Sequence, residues 1–199
     1  LDEISKILLV VPSDSRHLLV PLLRDKSWPK LWKIVEGGPL RQDSVYNGLR
    51  ALEPDTEIVV IHDSVRPFPP KQATLQAIQA AKEQGAAILA LPATDTVKSS
   101  TPDLVIKKTL VRERIWLAQT PQVFRYSLIM EAYERARGAG RELTDDAMAV
   151  ELLGHSVRII PSVAENIKIT YPQDLDYAQA IINYRGVPDY RDPNKELWK

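Results

Sequence analysis

The sequence of 199 residues contains no cysteine, which excludes disulfide bonds, thiolate metal ligands and a cysteine nucleophile. It also has no excess charge of either sign, because 26 Lys and Arg residues balance 26 Asp and Glu residues. A broad electrostatic surface for nucleic acid or anionic membranes is therefore not expected. A local basic pocket for one phosphate group is compatible with this balance.

Glycine is scarce, with 8 glycines against 15 prolines, whereas an average usage of about 7 % predicts roughly 14 glycines. Because phosphate-binding loops commonly use glycine, the deficit argues at first sight against a phosphate-binding protein. Long apolar runs are absent too, and the longest, 7–11 and 86–91, fall far short of a membrane span of ~20 residues. The first residues, Leu1-Asp2-Glu3, resemble neither a natural start nor a signal peptide, so we expect the natural chain to begin upstream.

Strand-like and helix-like segments alternate along the chain, which is typical of an α/β protein. Continuous apolar runs indicate strands buried in a parallel sheet, and helical spacing of apolar residues indicates the helices between them. Strands are predicted over 7–11, 32–36, 57–62, 86–91, 157–160 and 166–170. Helices are predicted over 43–52 (capped by Asp43 or Ser44), 70–84 (ended by Gly85), 127–137, 144–153 and 172–184.

Residues 96–109 depart from this alternation, because short alternating stretches flank a Ser-Thr-Pro-Asp turn and predict a hairpin. We therefore predict one three-layer α/β domain over 1–185, with a mostly parallel sheet and one protruding β-arm. The tail, 186–199, is expected to be extended over the surface. Ligands of such sheets bind beyond the carboxyl ends of the strands, which directs attention to the segments that follow each strand.

Two of these segments contain residues suited to a phosphate ligand. Gly37 and Gly38 allow the backbone to approach a ligand closely just before a helix N-terminus, although the same pattern is typical of an ordinary connection. Asp63 and Arg66 follow the strand 57–62. Asp63 would suit a metal or a sugar hydroxyl and Arg66 a phosphate, or the two would form an ion pair that fixes the loop.

For the other candidate site residues, a purely structural interpretation competes with the functional one or suffices by itself. Lys168 is either a solvent-facing strand lysine or a point charge aimed at phosphates. Asp95-Thr96 suits a turn, Thr144-Asp145-Asp146 suits a helix cap with acids in the first turn, and residues 119–122 are compatible with a loop. The three histidines are scattered without metal-ligand spacing, and no P-loop, dinucleotide, zinc-protease or hydrolase-elbow motif occurs.

Taken together, these segments resemble the 2-C-methyl-D-erythritol 4-phosphate cytidylyltransferase family from residue 4 to residue 183. The family's motifs occur here in order: Gly37-Gly38-x-x-Arg41-x-x-Ser44-Val45-x-x-Gly48-Leu49, His62-Asp63-x-x-Arg66-Pro67, Asp95-Thr96-Val97-Lys98, Ala118-Gln119-Thr120-Pro121-Gln122-x-Phe124, Thr144-Asp145-Asp146-Ala147 and Asn166-Ile167-Lys168-x-Thr170. The resemblance implies a Rossmann-like nucleotidyltransferase fold. It also implies transfer of CMP from CTP to the sugar-alcohol phosphate, with release of pyrophosphate and with Mg²⁺ as cofactor, in non-mevalonate isoprenoid precursor biosynthesis.

The resemblance also implies roles for individual residues. Lys168 would stabilise the transferring phosphate, Asp63 would lie near the metal, the nucleotide and the attacking phosphate, and Arg112 would reach into the site of a partner subunit. The remaining residues that it implicates are Gly38 and Ser44 for the nucleotide, and Arg66, Thr96, Thr120 and Thr144 for the other substrate. The arm, taken as 92–114, would interlock two subunits of a homodimer. The expected location is the cytoplasm, or the plastid stroma in a plant.

Three departures from the family pattern leave alternatives open. The family opens with a strand and a glycine-rich loop that cradles the CTP triphosphate, and nothing here matches it; the missing strand–loop–helix unit is expected to comprise roughly 30 residues or more. This absence accounts for part of the glycine deficit, and we expect weak CTP binding. Ser64-Val65 replaces the common Ala-Ala, as in relatives that use ribitol 5-phosphate, and Val111 replaces a common Asp. The alternatives are a pentitol phosphate cytidylyltransferase and a non-catalytic dimerisation module.

Overall fold

The computed structural model describes residues 1–24 and 27–186, in which strands and helices alternate as the sequence predicts. The strands are β1 (Ile7–Val11), β2 (Leu31–Glu36), β3 (Ile58–Ile61), β4 (Ala86–Pro92), β5 (Lys98–Ser100), β6 (Ile106–Thr109), β7 (Trp116–Arg125) and β8 (Arg158–Pro161). The helices are α1 (Arg16–Arg24), α2 (Arg41–Arg50), α3 (Lys71–Gln84), α4 (Tyr126–Gly138), α5 (Asp146–Leu152) and α6 (Asp174–Tyr184). None of the helices in these ranges has the length and apolar character needed to cross a bilayer.

The central sheet has the strand order β3-β7-β4-β8. Strand β4 runs parallel to β8, and β7 lies antiparallel between β3 and β4. Consequently β3, β4 and β8 all point the same way, and β7 is the exception. Strands β1 and β2 form a separate parallel pair. The prediction of a mostly parallel α/β sheet is confirmed.

Strand β4 shows how the sheet separates two helical layers. Its successive side chains point to opposite faces, as in any strand. Ala86 and Ile88 pack with Phe124 of β7 against α2, α4 and α5. Ala87 and Leu89 pack with Val123 of β7 against α3. Because both faces are covered, residues 86–90 are buried without exception, and the continuous apolar run identified this strand correctly.

Helix α3 ends where the sequence places its end. Gly85 follows the last helical residue at φ 98°, a left-handed conformation that favours glycine, and its N–H donates to the carbonyl of Ala81. The chain then enters β4 directly. This short connection fixes the position of the buried strand relative to α3.

The largest error of the sequence-based prediction concerns β7. The sequence of residues 119–122 is compatible with a loop and predicts no strand, but these residues lie in the middle of this ten-residue strand, which pairs with both β3 and β4. Pro121 is the cause, because proline cannot donate a ladder hydrogen bond and argues against a central strand. In β7, Pro121 lies where the register between β4 and β7 shifts, since Ile88 pairs with Gln122 and Leu89 with Gln119. Gln119 and Thr120 of this strand contact residues of the site described below.

Several element boundaries also differ from the prediction. Residues 166–170 do not form a strand. Helix α5 is capped by Asp145, whose side chain accepts a hydrogen bond from the backbone N–H of Met148, and not by Thr144. Helix α2 begins at Arg41 after Leu40, so the predicted caps, Asp43 and Ser44, lie inside its first turns. Helix α1 was not predicted, and residues 187–199 of the predicted tail lie outside the described residues.

The predicted β-arm is present as an antiparallel hairpin. Lys98 of β5 faces Thr109 of β6 across it. All four residues of β6 are exposed, and the turn before it contains Leu104 at φ 61°, with 87 % of its surface exposed. The arm therefore projects from the layered part of the chain and contributes nothing to either core.

Candidate active site

Four charged side chains meet beyond the carboxyl end of β3, and we call them the charged cluster: Arg41, Asp63, Arg66 and Lys168. Nε of Arg41 donates to Oδ1 of Asp63 at 3.1 Å. Oδ2 of Asp63 lies 3.5 Å from Nζ of Lys168 and 3.9 Å from Nε of Arg66. One carboxylate therefore faces three cations, and each of its oxygens has a different set of neighbours.

The three cations keep Asp63 ionised. Burial acts to raise the pKa of this carboxyl, but the charges of Arg41, then Lys168 and Arg66, outweigh it and lower the pKa below its usual value. The excess of positive charge around one anion suits the cluster to a further anionic ligand such as a phosphate.

The loop that carries Asp63 is held by a chain of hydrogen bonds from the sheet. The backbone N–H of Asp63 donates to Oγ1 of Thr120 at 3.0 Å, and this hydroxyl lies 3.0 Å from Nδ1 of His62. Nε2 of His62 lies 2.9 Å from the carbonyl oxygen of Arg66, which can only accept, so Nε2 carries the proton and Nδ1 accepts from Thr120. Burial lowers the pKa of His62, in agreement with this neutral form. Thr120 therefore uses its hydroxyl within the protein to position the loop.

Lys168 reaches the cluster because its segment is attached to the same loop. Asn166 is fully buried; its carbonyl accepts from Nη1 of Arg66 at 2.8 Å, and its Nδ2 donates to Gln119 and to the carbonyl of Thr120. Within the described residues, Arg66 Nε and Asn166 Oδ1 are buried polar atoms without a hydrogen-bond partner. These contacts, and not a strand, bring Lys168 opposite Asp63.

The predicted nucleotide loop lies beside this cluster. The backbone N–H of Gly38 donates to Oγ of Ser44 at 3.1 Å, which closes the turn between β2 and α2. A Cβ atom on Gly38 would lie 2.3 Å from Cβ of Asp43, so only glycine fits there. Arg41 directly follows this loop as the first residue of α2 and contacts Asp63, and it thereby joins the two predicted binding regions.

Arg41 and Asp146 are functional candidates that the sequence-based assignment of roles missed. Nη1 and Nη2 of Arg41 donate to both carboxylate oxygens of Asp146, at 3.0 and 2.8 Å. Asp146 is 0 % exposed and accepts a further hydrogen bond of 2.5 Å from the hydroxyl of Tyr133. The local pattern around Asp146 predicts only a first-turn acid. Both Arg41 and Asp146 stand in motifs that carry the resemblance to the family, and this was the signal available for finding them.

Three predicted site residues lie apart from the charged cluster. Thr96 is exposed at the base of the arm. Nη1 of Arg112 donates to the carbonyl of Thr94 at 2.9 Å, and Oγ1 of Thr144 contacts the sulfur of Met148 at 3.5 Å. In the described part of the chain, the contacts of these three residues stay local. Their predicted roles toward substrate therefore remain predictions.

The side chains of the site could hold a metal ion only if substrate phosphates supplied some of its ligands. Across 1–24 and 27–186, no group of three or more His, Asp or Glu side chains is arranged to hold a metal ion. Mg²⁺ is commonly held by one or two carboxylates together with substrate phosphates and waters. Asp63 meets that minimal requirement as a single ionised carboxylate beside cations that would attract the phosphates.

Comparison with known proteins identifies the family to which this arrangement belongs. The profile of the 2-C-methyl-D-erythritol 4-phosphate cytidylyltransferases matches residues 1–184, which includes the charged cluster, the nucleotide loop and the arm. The chain belongs to this family. The earlier resemblance, the α/β fold and the assignment as a nucleotidyltransferase enzyme are thereby confirmed.

Relatives of known name support the same family. The chain is 47 % identical to a 2-C-methyl-D-erythritol 4-phosphate cytidylyltransferase of Pelotomaculum thermopropionicum, over 91 % of this chain and 76 % of the relative. It is 48 % identical to the enzyme of that name from Syntrophus aciditrophicus, over 90 % of this chain and 77 % of the relative. The crystal structure of 4-diphosphocytidyl-2C-methyl-D-erythritol synthase from Anaerococcus prevotii aligns with a TM-score of 0.83 and 32 % identity, covering 91 % of this chain and 80 % of that one.

Proposed function

We propose that this cytidylyltransferase family member transfers CMP from CTP to 2-C-methyl-D-erythritol 4-phosphate, with release of pyrophosphate, on the route to isoprenoid precursors. The observation that carries this proposal is the placement of Lys168 and Arg66 around Asp63, next to the loop of Gly38 and Ser44. The family membership and the names of the relatives support the same reaction.

The reaction is a displacement at phosphorus. A phosphate oxygen of the alcohol phosphate forms a bond to the α-phosphorus of CTP, and the bond from that phosphorus to the bridging oxygen breaks, so that pyrophosphate leaves with the electron pair. Two anions must approach one another, and negative charge develops on the phosphate oxygens. Lys168 and Arg66 supply positive charge for these oxygens, held in place before substrate binds. No covalent protein intermediate is required.

The nucleotide and the metal take neighbouring parts of the site in this proposal. The cytidine contacts the loop that Gly38 and Ser44 close. Asp63 is the protein ligand proposed for Mg²⁺. When bound, the metal would neutralise phosphate charge. Thr96 and Thr144 are proposed as further contacts to the alcohol phosphate; Thr120 acts through the loop that it holds.

We also propose that two copies of this chain form a homodimer through the arm, with Arg112 reaching the partner's site. The support is the apolar surface at the tip of the arm, where Leu104, Val105 and Ile106 are each at least 62 % exposed. Such a surface on a two-stranded projection is stabilised when it is covered. We further propose a cytoplasmic location, which the cysteine-free composition supports.

An assay of pyrophosphate release tests the function and separates the acceptors. We expect CTP-dependent release with 2-C-methyl-D-erythritol 4-phosphate and little release with ribitol 5-phosphate. Activity with ribitol 5-phosphate alone would replace the proposed acceptor by the pentitol; Ser64 beside Asp63 is the feature that would favour this outcome. Absence of CTP binding to the protein as it exists in its source would favour the non-catalytic module.

A further inference from the structure

The buried carboxylate of Asp146 has no role in the proposed transfer, yet it is the most completely enclosed charge near the site. It is 0 % exposed, and its partners are the two terminal nitrogens of Arg41 and the hydroxyl of Tyr133. We call Arg41, Asp146 and Tyr133 the Arg41 bridge. An isolated charge of this kind is costly to bury, and even a paired one is often no more stable than apolar side chains of the same size. Stability alone therefore does not account for it.

The geometry of Arg41 suggests what the bridge does. Its guanidinium faces Asp146 with Nη1 and Nη2 and faces Oδ1 of Asp63 with Nε and Nη2, both at 3.1 Å, so one planar group spans two carboxylates. Although burial acts to lower it, the hydrogen bond and charge of Asp146, with the charge of Asp63, raise the pKa of Arg41. The Asp146 side of the guanidinium is enclosed, whereas Asp63 lies toward the site. A lysine could not make this double contact, because it lacks the rigid fork.

The two oxygens of Asp63 show the consequence. Oδ1 is taken by Arg41, and Oδ2 is left facing Lys168 and Arg66. Rotation of the carboxylate would exchange these partners. The bridge joins the first residue of α2 to α4 and α5, and through the contact of Arg41 with Asp63 it also reaches the loop after β3.

We propose that Arg41, anchored by Asp146 and Tyr133, is a positioning residue that fixes the orientation of the Asp63 carboxylate relative to Lys168, Arg66 and the nucleotide loop. This inference deepens the proposed function and rests on it for its kinetic consequence. Its structural consequence, the orientation of Asp63, does not depend on which reaction the site performs.

The kinetic test uses Asp146→Asn, Arg41→Lys and Tyr133→Phe, with Tyr126→Phe as the matched control because it removes the same atom from the same helix. We expect Asp146→Asn and Arg41→Lys to lower kcat by up to about 100-fold, as small misplacements of reacting groups do, with KM for both substrates nearly unchanged. Tyr133→Phe should have a smaller effect in the same direction, and Tyr126→Phe should have none. A fall in thermal stability with unchanged kcat would overturn the proposal.

A double-mutant cycle and crystal structures complete the test. If Arg41 acts through Asp63, adding Asp146→Asn to Asp63→Asn should lower kcat no further than Asp63→Asn alone, whereas multiplying effects would overturn the proposal. In crystals, the Asp63 carboxylate should keep its orientation in the wild type and lose it in Arg41→Lys. The same orientation in both would overturn the proposal even if no CMP transfer were found. If Asp146→Asn does not fold, the kinetic measurement and the crystal structures are made with Tyr133→Phe and Arg41→Lys.

Discussion

The charged cluster and the β-arm differ in how many of their side chains are contacted by other parts of the chain. Around Asp63, three cations, a sheet threonine and a neutral histidine are linked by contacts that originate in distant parts of the sequence. On the arm, large apolar side chains point into solvent and Leu104 holds a left-handed conformation. The cluster is thus organised within one chain, whereas the apolar side chains of the arm stay exposed in this chain.

The largest expected effect is at the cluster. Lys168→Ala should raise the barrier by about 2–4 kcal/mol, because the lost amine no longer stabilises developing phosphate charge. Thermal stability should hardly change, since 46 % of the lysine side chain is exposed. Steady-state kinetics and thermal melts of Lys168→Ala, with the exposed Lys71→Ala as control, measure both. A variant with normal turnover would remove Lys168 from the proposed mechanism.

The next effect connects the two regions. Arg112→Ala should lower activity although, among the described residues, the contacts of Arg112 are with Thr94 and Glu113 at the base of its own arm. Mixing Arg112→Ala and Asp63→Ala subunits should bring activity to at least about a quarter of the wild-type value, because half of the randomly formed dimers would contain one intact site. The mixture is assayed after subunit exchange against each variant alone. Mixtures no more active than their components would place Arg112 outside the partner's site.

A smaller effect is expected for the surface of the arm. Val105→Ser with Ile106→Ser should weaken dimerisation by about tenfold or more, since burying one large aliphatic side chain contributes about 1.5–3 kcal/mol. Sedimentation equilibrium measures the dissociation constant. Leu18→Ser is the matched control, because Leu18 lies on α1 and is exposed to the same 62 % as the two arm residues. Equal dimer affinity in all three proteins would contradict the role of the arm.

The smallest effect concerns acid stability away from both regions. Oδ2 of Asp174 accepts hydrogen bonds of 2.8 Å from the backbone N–H groups of Thr170 and Tyr171, which lower the pKa of Asp174. A carboxyl with a lowered folded pKa contributes stability above its unfolded value of about 3.9 and loses it as the pH falls through the folded pKa. Thermal melts should therefore show Asp174→Asn slightly less stable at neutral pH and equal to wild type in strong acid.

The control for this prediction is Asp176→Asn, which makes the same change of charge in the first turn of α6. It should lower stability less than Asp174→Asn at neutral pH. A pH profile of Asp174→Asn parallel to that of wild type would show that the two backbone contacts contribute nothing to acid sensitivity.

Part of the site could be predicted from sequence because its residues follow predicted strands directly. Asp63 and Arg66 come just after β3, and Gly38 precedes α2, so the rule for ligand positions in parallel sheets applied to them. For Lys168 the residues leave two interpretations open, a solvent-facing lysine or a charge aimed at phosphates; the family resemblance favours the second, and the predicted strand around it is wrong. Asp146 was interpreted locally as a first-turn acid, because no pattern in the sequence shows that a side chain is enclosed.

By itself, the sequence determined the local elements: the buried strand β4, the end of α3 at Gly85 and the hairpin of the arm. Apolar runs, a left-handed glycine and a turn motif act over a few residues, and their signals are visible in one dimension. Only the tertiary structure shows that β7 lies inside the sheet despite Pro121. It also brings Arg41 into contact with Asp146, which is 105 positions away in the sequence. Such contacts depend on how layers pack and which charges are enclosed together, and no short stretch of sequence contains that information.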